Sequence, residues 1–128
     1  MTENELHYKV VEDLFILGLP VEEVVITLRP YSKTYYGRYF PDRQEMYLYP
    51  YLNKSGDFMS YDLIIKGAIH EMCHHVQHTN PVYHRTKGVM HDPQFWSLYN
   101  HYLSRAHDLG VLPNEEVTKN CEAEVLIC

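Results

Sequence analysis

The first apolar positions of the chain recur with the period of an α-helix. They form a stripe of residues three or four positions apart, which are Leu6, Val10, Leu14 and Leu17. Thr2 and Glu5 precede the stripe in the pattern of a capping box, and Gly18 and Pro20 follow it. The sequence therefore predicts an N-terminal helix that buries one of its faces.

The next apolar segments are short and rich in β-branched or aromatic residues, which favours strands. Residues 24–28 read Val-Val-Ile-Thr-Leu, while residues 35–40 and 45–49 alternate well enough for two strands. Residues 41–43 (Pro-Asp-Arg) are a suitable turn between these two strands. We therefore expect a small antiparallel sheet of about three strands, followed by a loop at residues 53–57.

A second helix of about 18 residues is predicted from the N-cap Ser60 to Asn80 and Pro81. Its apolar stripe has the spacing of one buried helical face and consists of Ile65, Ile69, Met72 and Val76. The helix is therefore expected to be amphipathic. Residues 79–90 follow as a loop in a position to overhang its C-terminal half.

The third predicted helix begins with Asp92 as N-cap and Pro93 in its first turn, and it ends near Leu109 with Gly110 beyond. Its apolar set is Phe95, Leu98, Tyr99, Tyr102 and Leu103. With the preceding elements, this order indicates an α+β fold in which one small sheet packs against three helices.

The second predicted helix carries the segment with the clearest chemistry. His70 and His74 lie four positions apart, so that the two imidazoles are separated by about 6 Å along the helix axis and about 40° around it. Glu71 stands between them. Two imidazoles that reach one zinc ion, beside a carboxylate that accepts a proton from the zinc-bound water, are typical of metal-assisted peptide hydrolysis. The alternative is that these histidines lie on a solvated helix face of a chain with 9 histidines.

A third ligand has to come from another element. His78 continues the same row, but about 12 Å of helical rise separates it from His70, which is too far for two Zn–N bonds of about 2.1 Å. His91 immediately precedes the third predicted helix and is the best candidate, since its side chain projects from the end of a rigid element. The alternative is an exposed loop histidine.

The order of these segments resembles the SprT-like (Spartan-type) zinc metallopeptidases. Gly37-Arg38-Tyr39, residues 46–50 (Met-Tyr-Leu-Tyr-Pro), residues 70–74 (His-Glu-Met-Cys-His) and residues 91–95 (His-Asp-Pro-Gln-Phe) follow one another as in that family. The similarity spans about residues 24 to 103. It implies a minimal zincin-like fold, a Zn²⁺ cofactor held by His70, His74 and His91, and a hairpin that holds extended protein or peptide substrate beside the metal.

The chain departs from the family pattern in two places. Asp92 stands where the family usually has glycine, although an aspartate N-cap is still compatible with a helix start. The family's C-terminal zinc ribbon is not expected, because the three cysteines Cys73, Cys121 and Cys128 form no Cys-x-x-Cys pair. Another small zinc peptidase family uses an acidic third ligand, for which the candidates are Glu115, Glu116 and Glu122.

The expected reaction is hydrolysis of a peptide bond. Glu71 takes a proton from the zinc-bound water and donates it to the departing amine, while zinc polarises the carbonyl. Candidates for a second group that stabilises the oxyanion are Tyr83, His84, Tyr99 and His101. The alternative function is a zinc-stabilised protein that binds peptide or DNA without turnover.

Composition narrows the class of protein and its partners. With 128 residues, 45% of them apolar, the chain is expected to be one domain, with the structure of residues 113–128 left open. The net charge of −6 and the scattered basic residues argue against binding driven by DNA phosphates, and Arg29, Lys33, Arg38 and Arg43 are expected to be solvated strand positions.

The sequence predicts a cytoplasmic protein. It starts without a secretion signal, it has no apolar run of membrane-spanning length, and its cysteine count is odd. Cys73 is expected to pack as a small apolar residue.

Overall fold

A computed structural model describes residues 1–83 and 88–113 of the chain. These residues form three α-helices, α1 (Glu3–Ile16), α2 (Tyr61–Thr79) and α3 (Pro93–Asp108), and three strands, β1 (Val25–Leu28), β2 (Gly37–Phe40) and β3 (Glu45–Leu48). A short 3₁₀ turn, Val21–Glu23, precedes β1. The predicted α+β class and the order of the elements are confirmed. The acidic residues 115, 116 and 122, the cysteines 121 and 128 and the rest of the C-terminal tail lie outside the described residues.

The helices begin where the sequence predicts because each N-cap side chain binds a free backbone N–H of the first turn. The Thr2 hydroxyl accepts a hydrogen bond from the backbone of Glu5 at 3.1 Å, and the Glu5 carboxylate accepts one from the backbone of Thr2 at 2.8 Å. The Ser60 side chain caps α2 by accepting a hydrogen bond from the backbone of Leu63, and the Asp92 side chain caps α3 by accepting one from the backbone of Phe95. Gly110, at a φ of 78°, follows α3, since glycine adopts this left-handed conformation without strain.

The sheet is mixed, which corrects the predicted antiparallel arrangement. Its strand order is β1-β3-β2, with β1 parallel to β3 and β2 antiparallel to β3. The predicted hairpin between β2 and β3 is present, and β3 lies between the other two strands. Met46 and Leu48 of β3 are 0% and 1% exposed, so the most deeply buried strand is the central one. The strand order cannot be predicted from the apolar pattern within each strand, because that pattern does not show which strands are neighbours.

One face of the sheet packs against α2, and β2 forms the edge of the sheet nearest the site. Along each strand, successive side chains point alternately to this inner face and to the outer face of the sheet. Tyr39 is paired with Met46, and Gly37 is paired with Leu48. The inner face of β2 therefore carries Gly37 and Tyr39 toward the helices.

The helix α2 is the centre of the fold. It contacts α1, α3 and the sheet, and its predicted stripe of Ile65, Ile69, Met72 and Val76 is buried. The helix is nevertheless less amphipathic than predicted, because every residue from 64 to 77 is buried. Cys73 is buried as predicted, and burial raises the pKa of its thiol. His70 and His74 of α2 therefore lie inside the fold, which excludes for them the alternative of a solvated helix face.

Candidate metal centre

The three histidines singled out by the sequence come together in one cluster. The ring centroids of His70 and His74 are 5.1 Å apart, those of His70 and His91 5.0 Å, and those of His74 and His91 4.9 Å. One nitrogen from each ring lies within 4.8 Å of the others. The prediction that His91 joins the two histidines of α2 is confirmed at the level of geometry, and the alternative of an exposed loop histidine is wrong.

His91 is held in position by a buried link between α2 and the start of α3. The Gln77 side-chain amide, one helical turn beyond His74, donates hydrogen bonds to Asp92 at 2.9 Å and to Gln94 at 3.0 Å. The same Asp92 oxygen accepts the backbone N–H of Phe95 at 2.9 Å. Asp92, at the position where the resemblance leads one to expect glycine, thus both caps α3 and fastens the residue after His91 to α2.

The donor set fits a metal ion. The Nε2 atoms of His70 and His91 are 3.1 Å apart, and two ligand nitrogens on one tetrahedral zinc ion lie about 3.4 Å apart, since Zn–N bonds are about 2.0–2.1 Å. Three imidazoles suit zinc and also several other divalent transition metals. The geometry therefore supports a metal site of three histidines without fixing the identity of the metal.

Burial favours the neutral form of His70 and His91, which is the form that binds metals. Desolvation, followed by the proximity of His74 and His91, lowers the pKa of His70 to about 2. Burial also lowers the pKa of His91. At neutral pH the metal-binding nitrogens of His70 and His91 are therefore free of competing protons.

Glu71 follows His70 on α2 and is buried. Its side chain is 0% exposed, and neither carboxylate oxygen has a hydrogen-bond partner among residues 1–83 and 88–113. Burial raises its pKa well above the ordinary value, while the positive charge of Arg38 opposes this shift. A carboxylate in such surroundings binds a proton more readily than one in water.

The backbone of β2 approaches Glu71 closely. A Cβ atom added at Gly37 would lie 2.9 Å from the Glu71 Cγ and 3.1 Å from its Oε2. A side chain at this position would therefore displace the carboxylate, which explains glycine at the start of the Gly-Arg-Tyr segment.

Aromatic residues of α3 form a wall around the histidines. Phe95 stacks on His74 with a centroid distance of 4.4 Å and an interplanar angle of 27°, and Trp96 lies 5.6 Å from His91. Tyr99 contacts His70 at 5.4 Å. This apolar wall excludes water from one side of the cluster and lowers the local dielectric constant, which strengthens electrostatic interactions there.

A cleft of about 460 Å³ opens beside the cluster. It is lined by Tyr39, Pro41, His74, Gln77, His78, Tyr83 and Met90. The predicted loop of residues 79–90 thus borders the site through Tyr83 and Met90. Of the other candidates for a second polar group, Tyr99 belongs to the aromatic wall, His101 is exposed on α3, and His84 lies outside the described residues.

Sequence reasoning did not assign three of the residues that shape this site. Tyr39 lines the cleft, Gln77 fastens Asp92, and His75 is a fully buried neighbour of the cluster. Gln77 was recognisable in principle, because it lies three positions after His74 and therefore near the same helix face. The contribution of Tyr39 depends on how β2 packs against α2, which the sequence pattern alone does not specify.

Comparisons with models of protein families, with curated proteins and with solved structures found no match to this chain. Within the part of the chain that the structure describes, none of the helices has the length and apolar character needed to cross a membrane.

In the metal-free protein, acid and alkali are expected to lower the free energy of unfolding through different groups. His70 has a lowered pKa in the folded state, so protons favour the unfolded chain once the pH falls below its ordinary pKa of 6.5. Glu71 has a raised pKa, so its ionisation favours the unfolded chain once the pH rises above its ordinary pKa of 4.5. Between these two values the contributions oppose each other.

We therefore expect the metal-free protein to lose up to about 1.4 kcal/mol of stability per pH unit on the alkaline side of pH 6.5, until Glu71 is ionised in the folded state. The Glu71→Gln variant should lack this decline between pH 6.5 and the ordinary thiol pKa of 9.0, because glutamine does not ionise; above that pH the buried Cys73 lowers the stability of both proteins. Chemical denaturation in the presence of a chelator over a series of pH values measures both curves. Equal alkaline slopes for the two proteins would show that the buried carboxylate is not responsible.

Proposed function

We propose that this chain is a zinc-dependent metallopeptidase that hydrolyses peptide bonds in protein or peptide substrates. The observation that carries the proposal is the buried carboxylate of Glu71, which has no hydrogen-bond partner among the described residues and follows His70 on the helix that supplies two members of the three-histidine cluster. The resemblance of the four sequence segments to SprT-like metallopeptidases supports the same reaction.

His70, His74 and His91 would hold the zinc ion. When bound at three protein nitrogens with one open position, zinc supplies a Lewis acid for the substrate carbonyl and lowers the pKa of a coordinated water to about 7. The lowered pKa values of His70 and His91 and the 3.1 Å separation of their Nε2 atoms support this assignment.

Glu71 is assigned as the proton acceptor and donor of the reaction. It takes a proton from the attacking water and later gives it to the departing amine nitrogen, so no net proton is gained or lost by the enzyme. Burial raises its pKa, which makes the carboxylate a better base, and the positive charge of Arg38 opposes this rise. Gly37 leaves the space that the carboxylate occupies.

The edge strand β2 is the proposed site for an extended substrate. It is paired with β3 on one side, and its inner face carries Gly37 next to Glu71 and Tyr39 next to the cleft. An exposed strand edge binds an extended peptide through main-chain hydrogen bonds, which give affinity with little dependence on side-chain sequence.

Metal analysis and a protease assay on the same preparation test the proposal. We expect close to one zinc ion per chain and cleavage of denatured casein that a chelator abolishes and added zinc restores. Zinc that is bound stoichiometrically without any cleavage of casein would contradict the peptidase proposal.

The alternative, a zinc-stabilised binding protein without turnover, is favoured by one separate observation. Three arginine side chains in or next to the strands lie over aromatic rings, with distances of 5.0 Å for Arg29 and Tyr47, 4.7 Å for Arg38 and Tyr35, and 4.2 Å for Arg43 and Phe40. Arg29, Lys33 and Arg43 are exposed, as the sequence predicts, but they lie in the segments beside the strands, and only Arg38 is a strand residue. The three arginines and their rings form an aromatic and basic surface. Such surfaces suit an anionic partner such as DNA.

A further inference from the structure

A chain of two hydrogen bonds runs beside the metal centre through a histidine that the proposed mechanism does not use. His75 is 0% exposed. Its Nδ1 lies 2.6 Å from the Tyr39 hydroxyl, and its Nε2 lies 2.7 Å from a carboxylate oxygen of Glu23. Glu23 belongs to the turn before β1, His75 to α2 and Tyr39 to β2, so three separate elements of the fold meet in this chain.

The chemistry of the three groups fixes the direction of the hydrogen bonds for a neutral imidazole. An ionised carboxylate only accepts, so the Nε2 of His75 donates to Glu23. The Nδ1 of the same ring then accepts, and the Tyr39 hydroxyl donates to it. Burial and the charge of Glu23 raise the pKa of Tyr39 to about 12, which keeps the phenol protonated. The Tyr39 oxygen retains lone pairs that accept a further hydrogen bond.

Tyr39 also belongs to the wall of the cleft. The cleft is lined by Tyr39 and by the metal-binding candidate His74, and Gly37, two positions earlier on the same face of β2, faces Glu71. The rings of Tyr39 and His75 form a T-shaped pair, with a centroid distance of 5.5 Å and an interplanar angle of 70°. The phenol is therefore held in one orientation between the edge strand and the metal centre.

We propose that Tyr39 is a substrate-binding residue whose phenol oxygen accepts a hydrogen bond from a main-chain N–H of the bound peptide, and that His75 and Glu23 are positioning residues for it. This inference rests on the proposed peptidase function and names a contact with its substrate. A fixed acceptor that recognises the main chain fits an enzyme that binds extended peptides of varied sequence.

The first experiment compares Tyr39→Phe with Tyr8→Phe, the same change at a residue of α1 that is 77% exposed. A fluorogenic peptide built around a site that the enzyme cleaves in denatured casein serves as substrate. We expect Tyr39→Phe to raise KM about tenfold and to change kcat less than about twofold, because the lost hydrogen bond is made equally in the ground and transition states. Tyr8→Phe should leave both constants unchanged. An unchanged KM in folded, zinc-loaded Tyr39→Phe would overturn the inference.

The positioning residues are tested by paired substitutions that keep or remove one hydrogen bond. The amide oxygen of His75→Asn occupies the place of Nδ1 and still accepts from Tyr39, whereas His75→Leu has no acceptor. Likewise, Glu23→Gln still accepts from His75, whereas Glu23→Ala does not. We expect the leucine and alanine variants to show the raised KM of Tyr39→Phe, and the asparagine and glutamine variants to be closer to the parent protein. Equal KM values within each pair, at full zinc content, would overturn the positioning assignment.

Binding without turnover separates failure of this inference from failure of the proposed function. The casein-derived peptide, or denatured casein itself if no cleavage occurs, is titrated into zinc-loaded Glu71→Gln with and without Tyr39→Phe. We expect an approximately tenfold weaker Kd with Tyr39→Phe, and this difference should disappear for a peptide N-methylated at the one position whose N–H meets Tyr39. Cleavage that persists in Glu71→Gln overturns the peptidase proposal. Equal Kd values, a difference that survives every N-methylation, or no binding at all overturns the inference on Tyr39.

Discussion

The Glu71→Gln variant is expected to cleave denatured casein about 1000-fold more slowly than the parent protein while keeping its zinc. A general base contributes about 100-fold to 10,000-fold to a rate, and in the proposed reaction Glu71 both accepts and returns the proton. Glutamine has nearly the same size and fills the same space against Gly37, so the fold and the three histidines should be unaffected. Initial cleavage rates and elemental analysis on the same samples measure the two quantities separately.

A matched control for this variant is Glu12→Gln. Glu12 is exposed on α1 and lies outside the histidine cluster, so the same chemical change there should alter neither cleavage nor zinc content. If Glu71→Gln retained the parental rate, the carboxylate would have no part in the reaction. The zinc-stabilised binding protein would then be the better account of the chain.

Local rules explain why the elements that carry the histidines could be predicted closely from the sequence. The N-caps Ser60 and Asp92 and the C-terminal residue Asn80 act within one helical turn, so that the bounds of α2 and α3 follow from neighbouring residues. Because His70 and His74 are four positions apart in one helix, their side chains must lie on nearly the same side of it, one turn apart. The meeting of His91 with them depends on tertiary packing, and the resemblance to a known family supplied that part of the prediction.

Contacts between distant segments account for what the sequence pattern did not predict. The insertion of β3 between β1 and β2 depends on which strand has the most buried side chains in the assembled fold. The contact of Tyr39 with His75 joins positions 36 residues apart, and that of His75 with Glu23 joins positions 52 apart. Periodicity describes one element at a time, so it carries no information about such pairs.

Loss of the His91 side chain is expected to weaken zinc binding more than any other single change outside α2. In His91→Ala, the apparent zinc affinity should fall at least about 1000-fold, because loss of residues that merely support metal ligands already costs about 10-fold to 100-fold. Cleavage of casein should disappear with the metal. Competition with a chromogenic chelator measures the affinity. As a second readout, zinc at 100 times its Kd should raise the stability of the parent protein by about 2.7 kcal/mol and that of the variant by much less.

His78→Ala is the matched control for this prediction, because His78 lines the same cleft but does not belong to the cluster of three. Its zinc affinity should remain within about threefold of the parental value, because the substitution removes none of the three proposed ligands. If His91→Ala kept stoichiometric zinc, another residue would have to complete the site. Glu122→Ala would then be the decisive variant, because an acidic third ligand defines the other small zinc peptidase family. Zinc loss in His91→Ala but not in Glu122→Ala would assign the third ligand to the histidine at the start of α3.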